Sequence, residues 1–367
     1  MIDFLFTAVV FLIMLSILVF VHELGHFLVA KKLKMGVEEF GFGLPPRLWG
    51  KKVGETIYSL NWLPIGGFVK LSGEDVEETQ KKVTEISLKR KFFWARPKWQ
   101  RAAVLLAGVS MNFLLAVIII SYLFTQGILI PNGIKVEEVI ADSPAAASLK
   151  SGDVILKLNG KEILDVKEFS SDIKAKGDQS IDLLVERVIN GKVQQLTVAV
   201  TPRAHPPKDQ GALGVKISPS AVELKYPWYQ APYYGMVWAV RFSWEMLTKV
   251  FELVFNLVTF KHVDTENLAG PIGIAQATGQ AIKFGINAVL QLTGLLSLNL
   301  AIFNLLPIPA LDGGRLFFVL FEKWIGRHVK PRVEAITHQV GFAFLLALIV
   351  LITINDLVRL FSGKGRF

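Results

Sequence analysis

Cysteine is absent from this chain of 367 residues, and charged side chains are scarce. Without cysteine the chain forms neither disulfides nor thiolate metal sites, so any metal must be bound by histidine and carboxylate groups. Charged residues make up 19% of the sequence, less than the roughly 25% of soluble domains. Hydrophobic residues make up 52% and occur in long blocks, which excludes a disordered chain and a purely soluble enzyme.

Four of these blocks approach or exceed the length of about 20 apolar residues that a helix needs to cross a bilayer. They cover residues 4–30, 102–134, 284–321 and 339–355. Lysine and arginine cluster between the first two blocks and between the last two. Because basic residues remain on the cytoplasmic side of short loops, these clusters place the N-terminus outside, and only the basic C-terminal tail disagrees. The sequence therefore predicts a polytopic α-helical membrane protein with about four transmembrane helices.

Residues 228–260 form a further, largely apolar stretch. Its charged residues are spaced four, four and three apart, which puts them on one face of a helix; they are Arg241, Glu245, Lys249 and Glu252. This pattern favours an amphipathic helix that lies in the membrane interface, while a fifth transmembrane helix is the alternative.

Between the second and third blocks, residues 127–203 alternate apolar and polar positions between turn sequences. The pairs Asn159-Gly160 and Asn190-Gly191 are typical of tight hairpins. The string DSPAAASLKSGDVILKLNGKEI resembles the PDZ domains of bacterial membrane proteases. The resemblance implies one inserted, extracytoplasmic domain of β-rich α+β type, which acts as a size filter for substrates or binds a peptide or substrate tail.

The first apolar block contains the sequence HELGH at residues 22–26, an HExxH motif. Histidines at positions i and i+4 share one helix face, so His22 and His26 can bind one zinc ion while Glu23 acts as a general base. Ionisable groups inside a membrane cost about 2.5–3.5 kcal/mol each, which favours a functional role. The alternative is that the three residues mark the interfacial end of the helix, but this would not require their spacing.

Catalytic zinc usually has three protein ligands and a water, so a third ligand is expected. The third block contains the sequence NLLPIPALDGG at residues 304–314, whose prolines and glycines break the helix. Irregular backbone at membrane depth is tolerated only where it is buried in protein or lines a cavity. Asp312 is the predicted third ligand, at a depth close to that of His22 and His26; the alternative is a kinked helix with a buried, protonated Asp312.

HELGH in the first block, NLLPIPALDGG in a later one and the PDZ pattern between them together resemble the site-2 protease family of intramembrane zinc metalloproteases, in its bacterial RseP/RasP-like branch. The resemblance implies one Zn²⁺ per chain, held by His22, His26 and Asp312. Glu23 would be the base for attack of a zinc-activated water on the scissile carbonyl. Asn304 would lie near the substrate backbone.

The same resemblance implies cleavage of the transmembrane segments of single-span proteins in the bacterial cytoplasmic membrane. Such substrates would be membrane-bound anti-sigma factors or remnant signal peptides. The active site would lie within the membrane near its cytoplasmic side.

A substrate helix must unwind before its backbone can be cut, so the enzyme must offer hydrogen bonds to an extended strand. Residues 57–62 and 68–71 are candidate strands joined through the sequence PIGG. An edge strand here could bind the substrate by β-augmentation, although a hairpin on the membrane surface without a ligand is the alternative. The candidate substrate-binding residues are Phe68, Val69, Lys70 and Leu71.

Two other classes of function compete with the protease. One is a non-proteolytic membrane adaptor that collects client tails on its PDZ domain, and the other is a zinc transporter. An adaptor has no use for a general base, and a transporter would distribute its ligands across the membrane. The net charge of +9 does not require nucleic acid, because the basic residues lie beside apolar blocks, where anionic lipid attracts them. No metal role is assigned to His205, His262, His328 or His338.

The predicted organisation has nine segments, and its predicted partners are the bilayer, single-span substrates and a peptide tail. Each boundary follows from the changes of composition described above. The segments are transmembrane helix 1 with HExxH (1–31), a cytoplasmic loop with a membrane-associated β-hairpin (32–101), transmembrane helix 2 (102–126), the PDZ domain (127–203), a linker with the interfacial helix (204–283), transmembrane helix 3 with LDGG (284–323), a cytoplasmic loop (324–335), transmembrane helix 4 (336–358) and a tail (359–367).

Overall fold

The structure is a computed structural model that describes residues 2–73, 91–207, 210–259, 270–325 and 331–361. The chain divides into two compact units. The second unit is Phe124–Tyr226, and the first unit comprises the chain on both sides of it. His262 and His328 lie outside the described residues.

The helices are α1 (Ile2–Lys32), α2 (Lys98–Gln126), α3 (Val166–Ala175), α4 (Ala231–Val258), α5 (Pro271–Phe284), α6 (Ile286–Leu305), α7 (Asp312–Ile325) and α8 (Pro331–Phe361). The strands are β1 (Val37–Val53), β2 (Thr56–Leu71), β3 (Ile128–Val139), β4 (Val154–Leu158), β5 (Lys161–Glu162), β6 (Ile181–Ile189), β7 (Lys192–Val200) and β8 (Val215–Leu224).

Four of the described helices are long and apolar enough to cross a membrane: α1, α2, α6 and α8. Their mean hydropathies are 3.0, 2.6, 1.7 and 2.3, and their number agrees with the four predicted transmembrane helices. The predicted third span, 284–323, consists of two helices, α6 and α7. The helix is interrupted between them because Pro307 and Pro309 cannot donate helical hydrogen bonds.

Strands β1 and β2 form a small sheet in the first unit. Phe40 of β1 lies opposite both Val69 and Tyr58, so the first half of β1 lies between the two halves of β2. The predicted hairpin of 57–62 with 68–71 was therefore wrong in its pairing. The strand between them was missed because its GFG and PP sequences interrupt the alternation that marks a strand.

This sheet is held against α1 by aromatic side chains. The ring of Phe40 stacks on Phe27 with 4.5 Å between centroids and lies 5.5 Å from the ring of Phe20. The Ser16 hydroxyl donates to the carbonyl oxygen of Pro64 at 2.6 Å and accepts from the backbone N–H of Gly66 at 3.3 Å. These contacts fix β2 beside the helix that carries the HExxH motif.

Helix α4 has the predicted ladder of charges. Arg241 and Glu245, one turn apart, form an exposed ion pair at 2.9 Å. The position of this helix in the membrane interface remains a prediction. Helix α5, which sequence patterns did not predict, begins with Gly270 as N-cap and Pro271 in its first turn, the usual place for proline in a helix.

The second unit contains a six-stranded sheet in which β7, β6, β4, β3 and β8 lie in that order and β5 pairs with β4. The two predicted hairpin turns are confirmed, because β4 pairs with β5 and β6 pairs with β7. The predicted boundary at residue 203 was wrong, since β8 pairs with β3 along most of its length. The prolines at 202, 206 and 207 separate β8 from the other strands in sequence and gave the impression of a linker.

Candidate metal centre

Three predicted ligands from two distant parts of the chain meet in the first unit. Asp312 Oδ2 lies 2.9 Å from His22 Nε2 and 3.1 Å from His26 Nε2. The two Nε2 atoms are 3.1 Å apart. Both histidines are buried, with 7% and 6% of their surface exposed. Among the described residues this is the group of three or more that could hold a metal ion.

The geometry of α1 and α7 explains this convergence. His22 and His26 are one helical turn apart and face the same side of α1. Asp312 is the first residue of α7, and a carboxylate is favoured at a helix N-terminus by the helix dipole. The structure therefore brings these three side chains close together, as the sequence led us to expect.

The second ring nitrogen of His26 is bonded to α2. Its Nδ1–H donates to the carbonyl oxygen of Val104 at 2.8 Å. A neutral imidazole carries one proton, so a proton on Nδ1 leaves the Nε2 lone pair for a metal. Hydrogen bonds of this kind orient the histidine ligands of metal sites.

The second ring nitrogen of His22 faces the side chain of Asn112 of α2, a residue that the sequence patterns did not identify. Its side chain is fully buried, and Nδ2 lies 3.3 Å from His22 Nδ1. The amide Oδ1 is buried without a hydrogen-bond partner in the described part of the chain. A half-turn of the amide would bring Oδ1 to Nδ1, where it would accept a hydrogen bond from Nδ1–H and leave Nε2 of His22 free for a metal.

A glycine lets α2 approach the two imidazoles. A side chain at Gly108 would meet His22 Cε1 at 2.8 Å and would also collide with the His26 ring. Gly108 and Asn112 are one turn apart and therefore share the face of α2 that lies against the histidines. A buried asparagine inside a charge-free apolar run is the sequence signal that could have identified this contact.

Glu23 lies outside the three-residue cluster but next to it. Its side chain is partly buried, and Oε2 accepts a hydrogen bond from the backbone N–H of Val69 at 3.1 Å. The predicted base is thereby tied to the predicted substrate strand. This hydrogen bond leaves the other carboxylate oxygen, Oε1, for proton transfer.

The donor set suits zinc. Two imidazole nitrogens and one carboxylate oxygen are a ligand set of catalytic zinc, with a fourth position left for water. The buried, unpartnered Oδ1 of Asn112 gives independent support. Zinc binding at Nε2 requires the His22 tautomer with its proton on Nδ1, and this N–H would give Oδ1 a hydrogen-bond partner.

The remaining predicted residues, in β2 and at the end of α6, differ in their burial and contacts. Phe68 and Val69 are partly buried beside α1, whereas Lys70 forms an exposed ion pair with Glu38 at 3.3 Å. Leu71 is buried in the core between β2 and α1. Asn304 lies in the last turn of α6, and no hydrogen bond among the described residues joins it to the cluster.

The sequence was then compared with known proteins. The family model of Peptidase family M50 matches residues 10–348. The chain belongs to this family. A relative from Clostridium perfringens is 36% identical over 348 residues, which are 95% of this chain and 97% of that protein. The "Regulator of sigma-W protease RasP" of Bacillus subtilis is 30% identical, with 98% of this chain and 100% of that protein covered.

"Zinc metalloprotease RasP" of Oceanobacillus iheyensis is also 30% identical, over 97% of this chain and 99% of that protein. Among solved structures, the PDZ domain of an SdrC-like protein from Listeria monocytogenes matches with 24% identity and a TM-score of 0.20. It covers 23% of this chain and 87% of that one. The protein is thus a zinc metalloprotease of the site-2 protease type with helices that can span a membrane, and this part of the sequence prediction is confirmed.

Proposed function

We propose that the protein is an intramembrane endopeptidase that cleaves transmembrane segments at a single zinc site. The observation that carries the proposal is the convergence of His22, His26 and Asp312 beside Glu23, on helices that begin or run within apolar segments. A site of this composition inside apolar helices is suited to hydrolysis of a peptide bond at membrane depth.

The chemistry follows from the donors on the chain. Zinc, when bound, supplies Lewis-acid activation of water and of the scissile carbonyl group. Val104 holds His26 in the ligating tautomer, and Asn112 would do the same for His22 with its amide turned so that Oδ1 faces Nδ1. Glu23 takes a proton from the attacking water at Oε1 and returns it to the nitrogen of the leaving amine, so that one peptide bond is replaced by a carboxylate and an amine.

The sheet beside α1 is suited to bind the unwound substrate. The N–H of Val69 points away from β1 and towards Glu23, so this side of β2 faces the site. A substrate segment that adds to this edge would lie in extended form next to the base. Its backbone would then be exposed to attack, which the hydrogen bonds of a helix prevent.

The second unit contains a cleft that is suited to an extended peptide. The cleft has a volume of about 260 Å³ and lies between α3 and β8, with Phe169, Ile173, Leu213 and Ile217 in its lining. Strand β8 is an edge of the sheet, so a peptide can pair with it while an apolar side chain enters the cleft. This supports binding of a peptide or substrate tail, as predicted from the PDZ resemblance.

The proposed location is the bacterial cytoplasmic membrane, with the PDZ-like unit outside and the zinc site near the cytoplasmic face. The basic residues beside the predicted spans support this orientation. The name of the Bacillus subtilis relative, a regulator of sigma-W, supports membrane-bound anti-sigma factors as a substrate class. Remnant signal peptides are the second predicted class.

Metal analysis of the purified protein tests the site. We expect one zinc per chain in the wild type and a loss of bound zinc in His22→Ala and Asp312→Ala, because both remove a ligand. His205→Ala is the matched control, since this exposed histidine lies in the second unit and should not change the zinc content. Full zinc occupancy after loss of Asp312 would contradict the proposed ligand set.

A further inference from the structure

The turn that precedes Asp312 has an unusual backbone conformation. Ala310 has a φ of +76°, in the left-handed region that side chains with a Cβ rarely adopt. The other non-glycine residues with positive φ in the described chain are mainly asparagine and aspartate, which tolerate it better. An alanine in this conformation must be held by its surroundings.

The turn has its own backbone hydrogen bond, from Leu311 N–H to the carbonyl oxygen of Ile308 at 3.2 Å, and His338 of α8 adds a second one from outside the loop. The backbone N–H of Ala310 donates to His338 Nδ1 at 2.8 Å. The ring lies against that of Phe318, with 5.8 Å between centroids. The other ring nitrogen, Nε2, is buried and has no hydrogen-bond partner among the described residues. The hydrogen bond to the Ala310 turn is therefore the polar interaction that the structure assigns to this imidazole.

The next turn of α8 also contacts the same loop. A Cβ placed on Gly341 would lie 2.9 Å from the carbonyl carbon and oxygen of Pro309. His338 and Gly341 are three residues apart and so share one helix face. The loop from Pro309 to Asp312 is thus supported by α8 at two successive positions, once by a hydrogen bond and once by close backbone approach.

We propose that His338 is a positioning residue of the metal centre, which fixes the left-handed turn at Ala310 and thereby places the Asp312 carboxylate beside His22 and His26. This inference rests on the proposed role of Asp312 as a zinc ligand. Asp312 follows Ala310 by two residues, so a rotation of the turn would move the carboxylate away from the histidines. His338 acts through the backbone and does not itself touch the three donor atoms.

The test measures metal binding by the purified full-length protein in detergent. Zinc affinity is determined by competition with a chromophoric chelator, and the visible spectrum of the Co²⁺-substituted protein reports its ligand set. His338→Phe keeps a ring without the acceptor, whereas His338→Asn keeps an acceptor at the position of Nδ1. Gln339→Phe is the matched control, because it adds the same ring at an exposed neighbouring position of α8.

We expect His338→Phe to weaken zinc binding about 10-fold, the lower end of the effect of losing an outer partner of a metal site. Its Co²⁺ spectrum should shift towards that of Asp312→Asn. His338→Asn and Gln339→Phe should remain within about threefold of wild type on the same scale. Ala310→Gly in the His338→Phe background should recover most of the affinity, because glycine adopts a positive φ without strain.

Three results would overturn the inference. Wild-type affinity and spectrum in His338→Phe, with both lost in Asp312→Asn, would leave the proposed function intact and remove the role of His338. Equal losses in His338→Phe and His338→Asn would show that the acceptor is not what matters. If Asp312→Asn binds zinc as the wild type does, the ligand assignment fails and the inference fails with it. Should His338→Phe not fold, the double variant with Ala310→Gly decides, since the turn then no longer needs the hydrogen bond.

Discussion

At the scale of single residues, the proposed zinc site depends on hydrogen bonds that set the tautomer and orientation of its two histidines. His26 is bonded to a backbone carbonyl, while His22 meets the buried side chain of Asn112. Ser297 of α6 donates to the carbonyl oxygen of Asn112 at 2.8 Å and so fixes the backbone at this position. Three helices, α1, α2 and α6, therefore contribute to the position of one imidazole.

Replacement of Asn112 by leucine tests this account of His22. Leucine has a similar size but no acceptor, so the Nδ1–H of the metal-bound state would be buried without a partner. We expect zinc affinity to fall about 10- to 100-fold, as for other outer partners of metal ligands. Chelator competition measures this loss, with Ser110→Ala as control because the Ser110 hydroxyl bonds only within its own helix. Unchanged affinity in Asn112→Leu would contradict the role given to the amide.

The three proposed zinc ligands could be predicted from the sequence because their spacing carries the information. Two histidines at i and i+4 face one side of a helix whatever its surroundings, and a carboxylate in a broken apolar helix has few other uses. An asparagine in an apolar run could have singled out Asn112, but neither its contact with His22 nor the hydrogen bond between Glu23 and Val69 could be predicted in this way. Both depend on how separate elements approach each other, which no local pattern specifies.

At the scale of elements, the hydrogen bond from Val69 joins β2, the proposed substrate-binding strand, to Glu23, the proposed base. Proline at position 69 removes the backbone N–H that donates a hydrogen bond to Glu23. This N–H is a donor of β2 that points towards the site. We expect Val69→Pro to lower cleavage at least about 10-fold while zinc binding is kept, since loss of a charge-assisted hydrogen bond costs about 1.5–3 kcal/mol. Peptidase assays on protein with verified zinc content measure the effect.

Val69→Thr is the matched control for this experiment. It keeps the shape of the side chain and the backbone N–H, so that cleavage should stay near that of the wild type. Full activity in a folded Val69→Pro protein would rule out the edge of β2 as a substrate site.

Elements with regular patterns could be predicted, and those with interrupted patterns could not. The hairpin of β6 and β7 has alternating residues on either side of Asn190-Gly191, and its register agrees with that prediction. Strand β1 was missed because glycine and proline break its pattern, and β8 was assigned to a linker because prolines precede it. In both strands it is pairing with a distant segment, rather than local preference, that stabilises the extended backbone.

At the scale of the whole molecule, hydropathy identified the four candidate spans because a bilayer requires long, uninterrupted apolar helices. The number of such helices is therefore the most predictable feature of this chain. The side of the membrane on which each loop lies is inferred from basic residues alone and is open to a direct test.

The absence of cysteine makes this orientation measurable. Single cysteines at Lys192, exposed in the second unit, and at Lys52, exposed in β1, would be the only thiols of their variants. We expect a membrane-impermeant maleimide to label Lys192→Cys in intact cells and Lys52→Cys only after the membrane is opened. The reverse pattern would contradict the proposed orientation, and labelling of both in intact cells would exclude a membrane between them.

The measurement that tests the central claim most directly is cleavage of a tagged single-span membrane protein by the purified enzyme, compared with Glu23→Gln. Glutamine keeps the size of the side chain and leaves the three proposed zinc ligands in place, but it cannot take a proton from water. The account predicts cleavage within the transmembrane segment by the wild type, and a loss of at least about 100-fold in the variant with an unchanged zinc content. Cleavage by both proteins at similar rates, or by neither although both hold zinc, would contradict it.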